Sequence, residues 1–220
     1  MRHLKTDKIL IILMVFLMIS VQGFATHFDF QSIRNLSKVE IRLSKGNQWG
    51  IGQLRGSFQR VRGNINFSFE NPNLSTGVIL LDARALRFGF QKLNNHAHQK
   101  EWLNSNKFPE ISFKLKKLSN LNWKNNVLLA NADGALQMKG SSRDISIPVT
   151  IKYLRAERRK YDGKRGDLLF LEGEIPLSRT DFGISSDDMF DLIKDHISVK
   201  VSLVGSSDEC RSLLPSRLFF

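Results

Sequence analysis

Two histidines lie two residues apart in a polar stretch near the middle of the chain. His96 and His98 follow two asparagines and are flanked by Lys92 and Lys100. Imidazole and ammonium groups donate hydrogen bonds to oxygen, so this spacing suits a phosphate or a quinone oxygen. The other interpretation is a pair of exposed histidines at the start of a helix. A metal centre needs further ligands at suitable spacing, and the nearby sequence offers none, so no metal site is predicted.

A second candidate group is the turn sequence RTDFGI, which contains Arg179, Asp181 and Gly183. The Arg–Asp spacing allows a local ion pair, and the glycine suits a backbone with positive φ or a close approach. Arg179 could therefore contact the head of a ligand, or it could act as a clamp that fixes the end of a strand. The residues alone favour the clamp.

The sequence contains no recognisable catalytic constellation. The motifs G-x-S-x-G, H-E-x-x-H and G-x-x-x-x-G-K are absent. The carboxylates Asp187, Asp188 and Asp191 are explained by the start of a helix, where the dipole favours negative charge. Cys210 is the single cysteine, so no internal disulfide can form, and we expect a free thiol in the C-terminal tail. We predict neither an enzyme nor a cofactor.

The N-terminus has the pattern of a secretory signal peptide. A charged region with Arg2, Lys5 and Lys8 precedes an apolar run of 13 residues, from Ile9 to Val21. This run is shorter than the roughly 20 residues that span a bilayer, and small residues precede a cleavage point after Ala25. The sequence predicts export to the periplasm or the extracellular space, which disfavours nucleic acid as a partner.

The chain is strongly basic, with 33 Lys and Arg against 21 Asp and Glu. A net charge of +12 favours anionic partners such as a membrane surface, although scattered cations also keep an exported protein in solution. The densest basic run extends from Arg155 to Arg165 and includes Arg158. We expect this run to form a solvated hairpin tip, and contact with an anionic membrane is the alternative.

The candidate residues must be positioned by β-strands, because apolar and polar residues alternate over most of the chain. The clearest case is the stretch 134–151, which predicts a hairpin with its turn at Gly140–Ser142 and an apolar row from Ile145 to Ile151. Pro148 lacks an N–H, which indicates a bulge or a locally unpaired edge. Eight or nine such strands predict an antiparallel barrel or a two-sheet sandwich.

The remaining segments complete the predicted organisation. Residues 1–25 are the signal peptide, 26–36 a leader, 37–205 one β domain and 206–220 a tail. Helices are predicted at Asn94–Asn104, with Trp102 as an apolar anchor, and at Ser185–Asp195. A polar turn is predicted at Asn120–Asn126.

Three stretches together resemble the YceI-like family of exported lipid-binding proteins. The first is Gly56-Ser57-Phe58 with Val61 and Gly63, and the second is LNSNKFPEISF at residues 103–113. The third combines the hairpin at 140–149 with LSRTDFGI at 177–184. Their order and spacing are similar to the family pattern over about residues 37–205.

The resemblance implies an all-β, lipocalin-like antiparallel barrel of about eight strands with a short helical excursion. It also implies an isoprenoid ligand inside the barrel, such as a polyprenyl phosphate or a quinone, and no catalysis. The residues alone favour a filled core, whereas the resemblance favours a hollow one. The expected apolar lining consists of Ile65, Phe67, Ile111, Phe113, Leu136, Met138, Ile147 and Val149. The headgroup candidates are His96, His98 and Arg179.

A different class of function stays open beside lipid binding. The barrel could be a scaffold for an adhesion module whose basic run at 155–165 docks on anionic envelope polymers or membranes. A homodimer is also open. Neutralising the basic run would separate the two functions, because lipid loading that survives while surface association is lost would favour the adhesion module.

Overall fold

The computed structural model describes residues 25–31, 33, 36–45, 54–58, 60–184 and 193–210. Strands dominate them: β1 Thr26–Asp29, β2 Lys38–Lys45, β3 Leu54–Phe58, β4 Val61–Phe67, β5 Thr76–Asp82, β6 Leu86–Phe88, β7 Glu110–Lys124, β8 Val127–Met138, β9 Ser141–Leu154, β10 Leu168–Ser178 and β11 Ile193–Ser206. Two short helices are α1 Gln91–Ala97 and α2 Arg159–Asp162, and 3₁₀ turns lie at Pro72–Leu74, Ala83–Ala85 and Thr180–Phe182.

Eight of the strands form a closed antiparallel ring. Their order is β1-β4-β5-β7-β8-β9-β10-β11, and β1 pairs with β11 where Asp29 lies opposite Ser206. A closed ring leaves no terminal edge strand, which a two-sheet sandwich would have. The predicted barrel of about eight strands is therefore confirmed.

Three further strands extend the wall at one end of the ring. β2 pairs with the first part of β11, β3 pairs with β2, and β6 pairs with β3. After β6 the chain enters the excursion, residues 89–109, which contains α1. This excursion rejoins the barrel where the amide of Ala83 donates to the carbonyl of Pro109 at 2.8 Å.

The alternating sequence pattern produces one apolar interior. In β4, Val61, Ile65 and Phe67 are buried, while Arg62 and Asn66 between them are exposed. The same alternation repeats around the ring and produces a continuous cluster of buried apolar side chains. Successive residues of a strand point to opposite faces, so this pattern places one face of every strand inside.

Several local predictions differ from the structure. The hairpin turn consists of Lys139 and Gly140, both with positive φ (51° and 77°), and Ser141 already belongs to β9. The helix of the excursion is Gln91–Ala97, not Asn94–Asn104, and Trp102 lies in the turns that follow it. The turn predicted at Asn120–Asn126 is confirmed only at its last two residues, because β7 continues to Lys124.

The two ends of the domain also carry structure that the sequence did not predict. The segment interpreted as a leader contains β1, which closes the ring. The helix predicted at 185–195 lies mostly outside the described residues, and its last part, from Ile193, is strand β11. Residues 1–24 of the predicted signal peptide also lie outside the described residues. Within the tail, Ser207 is buried, while Cys210 is exposed with a free thiol.

Candidate ligand-binding site

The barrel encloses a cavity whose accessible wall is apolar. Side chains from every strand between β2 and β11 line it, together with Trp102 and Leu103 of the excursion. The cavity volume is about 160 Å³, and the space between the walls reaches about 1460 Å³ when the solvent at the mouth is included. The smaller value is the space that the centre of a water-sized sphere can reach, so the cavity is narrow and suits a thin apolar chain.

The interior is hollow, as the partial burial of many inward-facing side chains shows. These residues line the cavity and retain accessible surface although they point to the inside of the ring: Ile41, Ile79, Phe113, Leu136, Ile145, Val149, Leu171, Ile175, Leu177, Val199 and Val201. In a filled core, side chains pack at crystal-like density and keep little accessible surface. The apolar wall offers water few hydrogen-bond partners, so this surface suits an apolar ligand.

Seven of the eight side chains predicted as lining do line the cavity: Ile65, Ile111, Phe113, Leu136, Met138, Ile147 and Val149. The eighth, Phe67, is buried but lies away from it. The Phe67 ring packs edge-on against Phe69 at 4.8 Å between centroids, and Phe69 packs against Tyr153 at 4.6 Å. Phe28 joins the same aromatic cluster.

This cluster fills one end of the barrel. The hydroxyl of Tyr153 donates to the carboxylate of Asp167 at 2.6 Å, and Asp167 is buried. The same carboxylate accepts the backbone N–H of Ala156 at 2.7 Å. These partners satisfy the buried polar groups, so the aromatic cluster forms a packed plug at this end of the barrel. The cavity lies between this plug and the opposite end.

Arg179 lies at the wall of the cavity with its side chain only 5% exposed. Its Nε donates to the carbonyl of Lys194 at 3.2 Å and its Nη2 to the carbonyl of Ile193 at 3.0 Å. The guanidinium carbon lies 5.6 Å from the ring centre of Trp102, which is a cation–π distance. The backbone contacts show that Arg179 does act as a clamp on the start of β11.

The charge of Arg179 is nevertheless not neutralised by a hydrogen-bonded carboxylate of the described residues. Its Nη1 is buried and donates to none of their atoms. The neighbouring Asp195 accepts hydrogen bonds from the hydroxyl of Ser178 and from the amide of Thr180. These contacts, led by the Ser178 hydroxyl and helped by the charge of Arg179, lower the pKa of Asp195.

The two candidate histidines do not line the cavity. A hydrogen bond of 3.2 Å joins His98 Nδ1 to Ser105 Oγ, and Arg87 Nη1 lies 3.4 Å from His98 Nε2. Burial lowers the pKa of His98, and the charge of Arg87 lowers it further, so the ring is neutral near pH 7. His96 contacts Gln99 at 3.1 Å. The structure therefore places both rings within the excursion, and Arg179 at the cavity.

Pro148 marks the point where pairing between β9 and β10 stops. The last pair joins Val149 to Gly173, and β9 continues in register with β8 past Pro148 without a bulge. Of the two interpretations of this proline, the unpaired edge is confirmed and the bulge is wrong.

The basic run does not form a simple solvated tip. Arg158 is 1% exposed, and its guanidinium contacts Asp162, Asp208 and the carbonyl of Ser207. It thereby ties the turn around α2 to the residues after β11. The cations that remain exposed include Arg159, Lys164 and Arg165. Neutralising Arg158 would therefore disturb the fold and would not test surface docking.

Sequence reasoning missed most of the cavity wall, because only eight of the 36 lining residues were predicted as site residues. The residues not singled out include a group on β2, β10 and β11: Val39, Ile41, Leu171, Ile175, Leu177, Val199 and Val201. Their alternation with polar residues was visible and would have identified them. No signal in the sequence marked Lys139, whose Nζ donates to the carbonyls of Glu101 and Gly183.

Two further searches of the described residues gave negative results. No group of three or more His, Cys, Asp and Glu side chains among them is arranged to hold a metal ion. No helix in this part of the chain is both long enough and apolar enough to cross a membrane.

Solved structures with the same barrel come from several bacteria. BcnA of Burkholderia cenocepacia has 18% identity and a TM-score of 0.61, covering 76% of this chain and 95% of its own. A Campylobacter jejuni YceI protein has 19% identity and a TM-score of 0.60, with coverages of 75% and 91%. A polyisoprenoid-binding domain from Saccharophagus degradans, implicated in plant cell wall breakdown, has 12% identity and a TM-score of 0.61, with coverages of 83% and 99%.

At these identities the structural similarity establishes the fold alone. No curated protein matches the chain by sequence. The family model described as the YceI-like domain, in contrast, matches residues 30–205, which is most of the chain and contains all strands from β2 to β10 and nearly all of β11. This chain belongs to the YceI-like family.

Proposed function

We propose that this protein is a carrier or store that holds an isoprenoid lipid inside its barrel. The observation that supports this most directly is the set of inward-facing apolar side chains that retain accessible surface around a narrow cavity. Burial of an apolar chain against them would contribute roughly 25 cal/mol per Å² removed from water. The polyisoprenoid-binding domain among the structural neighbours supports the same ligand class.

An isoprenoid suits this cavity better than a flat or globular ligand. The enclosed space is narrow, and its wall is built from branched aliphatic side chains on facing strands. A prenyl chain is thin, flexible and branched, so it can follow such a channel without polar partners along its length. We propose binding without chemical conversion of the lipid.

We further propose that the polar head of the ligand lies at Arg179. A buried cation that no carboxylate of the described residues hydrogen-bonds is costly, and an anionic group on the ligand would offset this cost. This favours an acidic head, such as the phosphate of a polyprenyl phosphate, over a neutral quinone. His96 and His98 are less suited, because the excursion already engages both rings.

Export is a second part of the proposal, and it rests on the N-terminal sequence pattern. Cleavage after Ala25 would make Thr26, the first residue of β1, the new N-terminal residue. The barrel would then begin at its closing strand, with no extra residues to accommodate. N-terminal sequencing of the mature protein tests this, and an intact Met1 on the functional protein would refute it.

Native mass spectrometry of protein purified without denaturation tests lipid binding. We expect an added mass that organic extraction releases as a prenyl lipid. Val201→Phe should abolish this mass, because the ring would project into the cavity. Ser202→Phe is the matched control, since its side chain points to the opposite face of β11. Protein without any bound prenyl lipid, and unable to take up geranylgeraniol, would refute the proposal.

A further inference from the structure

The wall of the barrel is split along part of its height. β9 and β10 pair from Leu168 opposite Leu154 to Gly173 opposite Val149, and there the pairing ends. Both strands continue: β9 stays paired with β8, and β10 stays paired with β11 as far as Ser178. We call the unpaired part, residues 141–148 of β9 and 174–178 of β10, the β9–β10 split.

Two prolines lie on the borders of the split. Pro148 is the first residue of β9 beyond the last pair, and Pro176 lies on the opposite border in β10. Proline has no N–H, so neither residue can donate a hydrogen bond across the split. The sequence thus removes two of the backbone donors that would be needed to close the wall.

The cavity reaches the split from the inside. Ile147 and Val149 of β9 and Ile175 and Leu177 of β10 all line it. On the outside, a surface groove with both polar and apolar lining passes over the same place and includes Pro148 and Glu174.

The cavity and the outer groove share residues at the last pair. Val149, Glu172 and Gly173 line both of them. Gly173 has no side chain of its own, and the side chains of Ile147 and Val149 lie beside its Cα. The inside and the outside of the barrel therefore meet the same residues where the pairing stops.

The far end of the split is held by a different contact. The Nζ of Lys139, in the turn between β8 and β9, donates to the carbonyls of Glu101 and Gly183. This joins the tip of the hairpin to the excursion and to the turn that follows β10. The split is thus bounded by the Val149–Gly173 pair below and by Lys139 above. The five residues of β10 give it a length of about 17 Å, at about 3.3 Å per residue.

We propose that the isoprenoid chain enters and leaves sideways through the β9–β10 split; this inference rests on the proposed lipid-binding function. Opening the ring between other neighbours requires breaking a row of backbone hydrogen bonds, except at β1 and β11. These two strands share only the pair Asp29–Ser206, but there the aromatic cluster with Phe28 fills the interior. Separating β9 from β10 above the last pair breaks none of their ladder. A long chain can pass through a slot without threading its whole length through a narrow mouth.

Crosslinking across the split tests this route. If the register of the last pair continued, Ser146 would lie opposite Pro176, and both residues are exposed. In a Cys210→Ser background, the double variant Ser146→Cys/Pro176→Cys is bridged with a cleavable bis-maleimide. The matched control is Gln137→Cys/Ser142→Cys, which bridges two exposed residues on the paired strands β8 and β9.

The measurement is the rate at which each protein takes up geranylgeraniol carrying a fluorescent label. We expect the bridge across the split to slow uptake at least about tenfold, and cleavage of the bridge to restore it. The control bridge should leave the rate unchanged. Equal rates for bridged and unbridged split variants, or equal slowing by both bridges, would overturn the lateral route. Failure of the unbridged proteins to bind the lipid at all would instead refute the proposed function.

Discussion

The proposed contact between Arg179 and an acidic lipid head leads to a sharp prediction on ligand selectivity. Geranylgeranyl phosphate and geranylgeraniol share one hydrocarbon chain, so their affinities differ only through the head. Wild-type protein should prefer the phosphate, because the buried Nη1 of Arg179 has no hydrogen-bond partner among the described residues. Arg179→Gln removes the charge and should remove this preference.

The size of the effect follows from one hydrogen bond to a charged group. Such a bond contributes about 1.5–3 kcal/mol. Since about 1.4 kcal/mol corresponds to a tenfold change in affinity, the wild-type preference should be about 10- to 150-fold. Arg179→Gln should bring it close to one. The variant also loses hydrogen bonds to the carbonyls of Ile193 and Lys194, so it will be less stable.

The assay is calorimetric titration of each protein with both lipids at one pH and one salt concentration. The ratio of the two affinities cancels a general loss of folded protein, so it isolates the head. Arg159→Gln, in the exposed part of the basic run, is the control for net charge and should keep the wild-type ratio. The same ratio in wild-type and Arg179→Gln protein would show that Arg179 is only a structural clamp.

Three further predictions concern stability and the interior. Ile147→Asp should unfold the barrel or abolish lipid retention, because it places a carboxylate in the apolar cavity wall, whereas Gln137→Asp at an exposed position of β8 should do neither. Thermal melting and lipid extraction distinguish the two variants, and a stable, lipid-loaded Ile147→Asp protein would contradict the inward placement. The pKa of Asp195 is lowered from 3.8 by its hydrogen bonds, so this carboxylate stabilises the fold above that value and its contribution disappears as the pH falls through the lowered pKa. Urea unfolding across pH 2–6 should show a flatter acid profile for Asp195→Asn, and an unchanged profile would refute the assignment. Gly140→Ala should cost about 1–2 kcal/mol, because φ is positive there and the new methyl would lie 2.9 Å from the ring of Phe108; a urea midpoint equal to wild type would count against this.

The sequence predicted the strands well because most of them have one buried face and one wet face. Barrel and sandwich could not be separated on this basis, since the pattern shows which side of a strand is buried and not which strands are neighbours. The closing pair joins Asp29 to Ser206, and β1 is only four residues long. So short a segment carries too little alternation to be recognised, which is why it was interpreted as a leader.

The local errors have a common origin in backbone conformations that side-chain patterns do not reveal. Lys139 forms the hairpin turn with positive φ, a conformation more typical of asparagine or glycine. Asn120 also has positive φ, and there the strand continues past the apparent turn with a shift of register. In the excursion, the helix ends early because the chain turns back, with the amide of Asn104 donating to the carbonyl of Gln99 at 2.8 Å.

The candidate site was only partly predictable for a similar reason. Alternation identifies inward-facing residues such as Ile147 and Val149, but the distance between opposite walls decides whether they touch. A hollow interior is a property of strand number and tilt, so no single segment can reveal it. The burial of Arg179 likewise depends on how Trp102 of the distant excursion packs over it.

The closure of the ring by β1 and β11 has a consequence for how this protein folds. The two strands come from opposite ends of the domain, so the barrel cannot be completed before β11 has been synthesised. Contacts between residues so far apart carry a high entropic cost of loop closure and are typical of slow-folding β proteins. Until that last pairing forms, β1 and the end of β11 each present an open edge to other chains. We therefore expect the interval before ring closure to be the period in which this chain is most exposed to aggregation.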